Sequence, residues 1–115
     1  MKSHDETAEF LKALAHPVRL QIVEILRQGE ACVCHLEAHL VYRQPYISQQ
    51  IMVLRKAGLL AERKDGTYVF YRLADTRVVK LLAMLLPEPV GRQRRVPGRA
   101  PCSCPECAPM MEARV

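Results

Sequence analysis

The chain has 115 residues, enough for one domain, and half of them are hydrophobic. Its net charge is +5, with 17 Lys and Arg against 12 Asp and Glu, which favours a polyanionic partner without proving one. No apolar run is long enough for a membrane span, and the acidic start MKSHDETAEF lacks the apolar core of a secretory signal. We therefore expect a cytoplasmic protein without a membrane partner. In that compartment five cysteines are more typical of metal ligands or redox groups than of a disulfide framework.

Two helices are predicted in the first 30 residues. Ser3 and Glu6 have the spacing of a capping box, so the first helix begins near His4. Pro17 interrupts it and suits the first turn of a second helix. Apolar residues at helical spacing give that helix a buried stripe of Val18, Ile22, Ile25 and Leu26.

The next segment reads as a helix-turn-helix followed by a hairpin. A short helix from Val33 to Leu40 is joined by a tight link to a helix that starts at Pro45. Gly58 is placed to end the second of these helices. Two strands are then predicted at Leu60–Lys64 and Thr67–Leu73, with the turn pair Asp65-Gly66 between them.

A last helix, for which Asp75 is a good N-cap, carries Val78 to Leu86 and is apolar on almost every side. A surface helix of a monomer should be polar on one face, so this one is either a central core helix or a dimer interface. We favour the dimer, because so small a chain cannot cover such a helix alone. From Pro87 the sequence becomes rich in Pro and Arg. We therefore predict a DNA-binding and dimerisation domain at 1–86 and a flexible tail at 87–115.

The fold class predicted is mainly α with a small β-hairpin, a dimeric winged helix-turn-helix. In that fold the second helix of the helix-turn-helix enters the major groove of double-stranded DNA, and the hairpin, called the wing, contacts the flanking backbone. Base or phosphate contacts are expected from this second helix, called the reading helix, and phosphate contacts are expected from the basic residues around it. The expected DNA-binding residues are Arg43, Gln44, Tyr46, Ser48, Gln49, Gln50, Arg55, Lys56, Arg63, Lys64 and Thr67.

Three motifs occur in order. They are ALAHPVRLQIVEIL (Ala13 to Leu26), CVCHL (Cys32 to Leu36) and ISQQIMVLRKAGLL (Ile47 to Leu60). Together they make the chain resemble the ArsR/SmtB family of metal-sensing repressors, over about residues 8 to 86. The resemblance implies a homodimer that represses a metal-resistance operon and leaves its operator when an inducer binds. It also implies that Cys32 and Cys34 bind arsenite, antimonite, cadmium or lead.

Soft thiolates select thiophilic ions, which suits Cys32 and Cys34 to this role. Residues i and i+2 of a regular helix, however, point about 200° apart. Ligation by both cysteines would then require the first turn of their helix to fray or never to form, and this distortion could move the reading helix. The alternative is that the two cysteines are small buried core residues.

Other groups could also bind an ion. The tail carries Cys102, Cys104 and Cys107, so the ion could sit in the tail, at Cys32 and Cys34, or between the two. His35 and His39 could complete a Cys/His zinc site, although two solvated histidines are the favoured interpretation. The family's second site, on its last helix, is not expected, because Arg77 stands where a histidine would be needed.

The sequence contains no catalytic constellation, so neither an enzyme nor a small-molecule substrate is expected. The preferred function is a repressor that responds to arsenite or antimonite first, and to cadmium, lead or zinc next. A thiol-based sensor of oxidants or persulfides with the same fold is one alternative. A metal-trafficking protein without a DNA role is another.

Overall fold

The computed structural model describes residues 3–86, and within that range the chain forms five helices and one antiparallel sheet. No helix in this range is both long and apolar enough to cross a membrane. The elements in chain order are α1 His4–Leu14, α2 Pro17–Arg27, β1 Ala31–Cys32, α3 Val33–His39, α4 Gln44–Lys56, β2 Leu60–Asp65, β3 Tyr68–Leu73 and α5 Thr76–Leu85.

The predicted helix starts are confirmed by their caps. Ser3 Oγ accepts a hydrogen bond from the Glu6 N–H at 3.1 Å, and α1 begins at the next residue, His4. His16 Nδ1 caps α2 in the same way, and Pro17 occupies the first turn. Asp75 caps α5 through the N–H of Arg77 at 2.9 Å. Each cap satisfies a backbone donor that a helix leaves without an intrahelical acceptor, so local sequence fixes where these helices begin.

The hairpin is also confirmed, with two differences from its predicted form. Asp65 pairs with Tyr68, so the turn consists of Gly66 and Thr67 and not of Asp65 and Gly66. Gly66 has φ 62°, a conformation that favours glycine, and it takes the first place in the turn. The second difference is β1, which the sequence did not predict. This two-residue strand pairs with β3 and makes the sheet order β1-β3-β2.

The core lies between the helix-turn-helix, α2 and the sheet. The inner face of α4 is confirmed: Ile47, Ile51 and Leu54 are at most 2% exposed. They share the core with Ile22 of α2 and Leu36 of α3. This packing fixes the rotation of α4 about its own axis and therefore decides which of its residues face outward.

The last helix is only half covered by the rest of the chain. Val78 and Leu82 are buried, but Met84 is 81% exposed and Leu85 is 65% exposed. The helix is anchored to α2 by Arg27, whose Nη1 donates to the Leu86 carbonyl at 3.0 Å. Because α5 leaves large apolar side chains in water, it is not a central core helix. This exposure favours a dimer interface.

Leu85→Lys should therefore dissociate the dimer. Burial of one leucine is worth about 1.5–3 kcal/mol, and the charge is introduced in both protomers, so the dimer Kd should rise about 100-fold or more. Sedimentation equilibrium measures this directly. Val41→Lys is the matched control, because Val41 is 67% exposed in the link between α3 and α4. A monomeric wild-type chain at micromolar concentration would contradict the assignment.

Candidate DNA interface and thiol site

The outward face of α4 begins at its N-terminus. Arg43 is the N-cap residue, and Pro45 lies in the first turn. Both Arg43 and Gln44 are exposed, as are Gln49 near the middle of the helix and Lys56 at its end. These four predicted DNA-binding residues are therefore accessible.

Three other predicted contacts on α4 are half-buried. The ring of Tyr46 packs on Tyr42, with centroids 5.1 Å apart, and Ser48 lies beside the core stripe. Gln50 Oε1 accepts a hydrogen bond from Arg19 Nε at 3.1 Å. Arg19 also donates to the carbonyls at the end of α1. The amide of Gln50 thus holds α4 against α1 and α2.

The predicted phosphate contacts fall into two groups. Arg55 forms an ion pair with Glu62 at 3.1 Å, and Arg63 forms one with Glu30 at 2.6 Å. Lys64 and Thr67 are exposed at the end of the hairpin, and Lys56 is exposed at the end of α4. Lys56, Lys64 and Thr67 are thus accessible to DNA, whereas Arg55 and Arg63 are ion-paired within the protein.

Sequence reasoning missed the apolar part of this surface. Met52 is 56% exposed and Val53 is 40% exposed on α4, and Val41 is 67% exposed just before it. Met52 follows Gln49 by three residues, so helical spacing alone could have placed the two on one side. Apolar side chains in the major groove can contact the methyl group of thymine, a contact that no polar residue of this helix supplies.

The cysteine pair has a geometry different from the predicted one. Cys32 is the last residue of β1 and the N-cap of α3, with extended backbone angles of φ −90° and ψ 168°. Only Cys34 lies inside the helix. The angular difficulty of two helical residues does not arise, and the two sulfurs lie 2.7 Å apart. Because Cys32 lies outside the helical turn, the two sulfurs approach each other without fraying of α3.

The pair is buried against the hairpin. Cys32 is 2% exposed and forms a small cluster with the fully buried ring of Phe70, against which Cys34 and Tyr68 also pack. The His35 N–H donates to Cys32 Sγ at 3.3 Å. The two sulfurs thus share one pocket beside the Phe70 ring.

The two histidines are not solvated, contrary to the favoured expectation. His35 and His39 are both half-buried, and their ring centroids lie 4.4 Å apart. Burial, and secondarily the nearby His39, lowers the pKa of His35 to about 4, so its ring is neutral at neutral pH. Within residues 3–86, no three His, Cys, Asp or Glu side chains converge on a common metal position. A third ligand for an ion at the cysteines would have to come from elsewhere.

The two regions that remain to be compared with the predicted sites are the tail cysteines and the start of α5. Cys102, Cys104 and Cys107 lie outside the described residues. Arg77 binds the Asp75 carboxylate, with Nη2 to Oδ2 at 2.6 Å, and lies 4.4 Å from the centroid of the Phe10 ring. A fixed cation thus occupies the start of α5, and the Asp75 carboxylate is already engaged.

A helix-turn-helix that packs its inner face on the core, exposes the other residues of its second helix and is followed by a basic hairpin defines a winged helix-turn-helix DNA-binding regulator. Comparison with known proteins narrows this class. Residues 16–62 match the family described as "Bacterial regulatory protein, arsR family". The biofilm growth-associated repressor of Agrobacterium fabrum is 46% identical over 84 residues, which cover 73% of this chain and 72% of the relative.

Two solved structures agree with this match. HlyU from Vibrio cholerae is 35% identical with a TM-score of 0.69, covering 76% of this chain and all of that one. A homodimeric winged helix-turn-helix domain from Mycobacterium bovis is 34% identical with a TM-score of 0.66, covering 70% and 75%. The chain belongs to the ArsR family of regulators. It is a DNA-binding transcriptional repressor, not an enzyme.

Gln49→Ala should relax sequence preference at one position of each half-site by about 1–3 kcal/mol, because an exposed glutamine can pair with an adenine edge. Lys64→Ala should instead weaken binding to all sequences nearly equally and reduce the salt slope, because it removes a phosphate contact. Fluorescence anisotropy on a set of operator variants at several salt concentrations separates the two. Identical behaviour of both variants would contradict this division of roles.

Proposed function

We propose that this protein is a cytoplasmic homodimer that represses a metal(loid)-resistance operon and is released by a thiophilic inducer. Arsenite or antimonite is the preferred inducer, followed by cadmium, lead or zinc. The observation that carries this proposal is the convergence of Cys32 Sγ and Cys34 Sγ, 2.7 Å apart. Two neighbouring sulfurs suit a soft, thiophilic ion.

The remaining ligand is assigned to the tail. Arsenite prefers three sulfurs, and residues 3–86 supply only the Cys32 and Cys34 pair at this position. Cys102, Cys104 and Cys107 are the only other cysteines of the chain. We therefore place the inducer between the cysteine pair and the tail at 87–115, with one or two tail sulfurs completing the site, from the same protomer or its partner.

The DNA contacts are assigned from exposure. Arg43, Gln44, Gln49, Lys56, Lys64 and Thr67 are accessible and are proposed to contact the operator directly. Tyr46 and Ser48 contribute from half-buried positions, while Gln50, Arg55 and Arg63 support the surface through their bonds within the protein. A dimer through α5 presents two such surfaces, so the operator should be an inverted repeat with half-sites about 34 Å apart.

One observation favours a second candidate, a thiol-based redox or persulfide sensor. The sulfurs of Cys32 and Cys34 lie 2.7 Å apart, side by side in one pocket. Peroxide oxidises a thiol to a sulfenic acid, which condenses with a neighbouring thiol to form a disulfide and release water, so such a pair suits a redox sensor. The trafficking alternative has less support, because the relatives of this chain are named repressors.

Cys32→Ser with Cys34→Ser should leave operator affinity near normal and abolish release by arsenite. Serine is a good N-cap residue, so α3 keeps its start in this variant. Serine at Cys102, Cys104 and Cys107 should weaken the response but leave release at high arsenite, because the converged pair remains. Release of the reduced proteins from labelled operator is followed by fluorescence anisotropy.

Two outcomes would change the conclusion. If the tail variant cannot be released while the Cys32 and Cys34 variant responds normally, the sensing site is the tail. If peroxide or a persulfide donor releases the wild-type protein and arsenite does not, the redox candidate is the function.

A further inference from the structure

Arg63 lies on the hairpin but is bonded to the segment that leads into the thiol site. Its Nη2 and Nε donate to the Glu30 carboxylate, Nη2 to Oε1 at 2.6 Å and Nε to Oε1 at 3.1 Å. Its Cζ lies 4.6 Å from the centroid of the Phe70 ring. Glu30 directly precedes β1, which ends at Cys32. The guanidinium thus contacts two neighbours of the cysteine pair.

The sheet register explains why these groups meet. Phe70 of β3 is directly opposite Cys32 of β1 and also directly opposite Arg63 of β2. Directly opposite residues of an antiparallel sheet project from the same face. Cys32, Phe70 and Arg63 therefore form one row across the three strands. Glu30, just before β1, binds Arg63 and so links the two ends of this row.

We propose that Arg63 is a positioning residue that transmits the state of the Cys32–Cys34 pair to the wing. Cys32 is 2% exposed and the Phe70 ring is fully buried, so there is little free space between them. A group bound to the sulfurs displaces the ring, because packed interiors transmit volume changes. Arg63, stacked on that ring and bonded to Glu30, moves β2 with it. Lys64 and the turn that follow then leave their places on the DNA backbone.

This inference rests on the proposed function in one respect, that the cysteine pair is the sensing site. It makes a claim distinct from direct DNA contact by Arg63. A phosphate contact needs only positive charge, which lysine also provides. The bond to Glu30 and the stacking on Phe70 need the planar fork of arginine, which lysine lacks. Arg63→Lys and Arg63→Gln therefore give different results for the two roles.

The test measures the ratio of operator Kd with and without sodium arsenite, on reduced full-length protein, by anisotropy. Arg63→Gln, Arg63→Lys and Glu30→Gln should each reduce this ratio about five-fold or more. Each variant's Kd with arsenite is divided by its own Kd without arsenite, so a loss of operator affinity common to both conditions cancels, and the salt slope should be unchanged. The arsenite affinity of the free variants should also be unchanged, which shows that the thiol site is intact. Lys64→Gln is the matched control and should lower the salt slope while keeping the ratio.

The proposal is overturned if Arg63→Gln weakens DNA binding and lowers the salt slope while the arsenite ratio stays at its wild-type value and Arg63→Lys behaves as wild type. Arg63 would then be a phosphate contact.

A second arm needs no inducer and separates this proposal from the proposed function. Cys32→Met adds bulk at the sulfur position and should weaken operator binding in the wild-type background but about five-fold less in the Arg63→Gln background. Additive effects of the two substitutions would contradict the transmission role, whatever arsenite does. If the Cys32→Ser, Cys34→Ser protein is released by arsenite like wild type, the assignment of the sensing site to this cysteine pair is wrong. The Cys32→Met result still decides the role of Arg63.

Discussion

The arrangement of this protein depends on the position of Cys32. This residue ends β1, caps α3 and lies opposite Phe70 in the sheet. Because its backbone is extended and not helical, its sulfur meets that of Cys34 and both pack against the wing. Had α3 begun one residue earlier, the two sulfurs would point apart and the cysteines would be ordinary core residues. A single helix boundary thus decides whether the chain has a thiol site.

The DNA-binding surface is held by polar contacts behind it. Arg19 binds Gln50 and the end of α1, Arg55 binds Glu62 across from α4 to β2, and Arg63 binds Glu30 beside β1. These exposed or half-buried pairs contribute little to global stability. Their role is geometric, because they fix the orientation of α4 and the wing relative to the rest of the domain. The accessible residues are therefore already in position before DNA binds. Such preorganisation reduces the ordering that binding requires.

Local signals predicted much of the fold. Caps and proline gave the starts of α1, α2 and α5, and helical spacing gave the inner face of α4. The features that were missed depend on residues far apart in the chain. Strand β1 has two residues and exists only by pairing with β3. The partners of Arg63 and Gln50 are 33 and 31 positions away, so both residues looked like free DNA contacts. The convergence of the cysteines was missed because the angular argument treated Cys32 and Cys34 as two residues of one regular helix, although the predicted helix began at Val33.

Amide hydrogen exchange of the reduced dimer, with and without arsenite, tests the central claim most directly. If the cysteine pair acts through the sheet, arsenite should change the protection of amides in β3, Tyr68–Leu73, and in the neighbouring strand β2. The first-turn amides of α3 should remain as protected as before. Loss of protection in α3 and α4 with an unchanged wing would contradict this account and return the mechanism to unfolding of the helix.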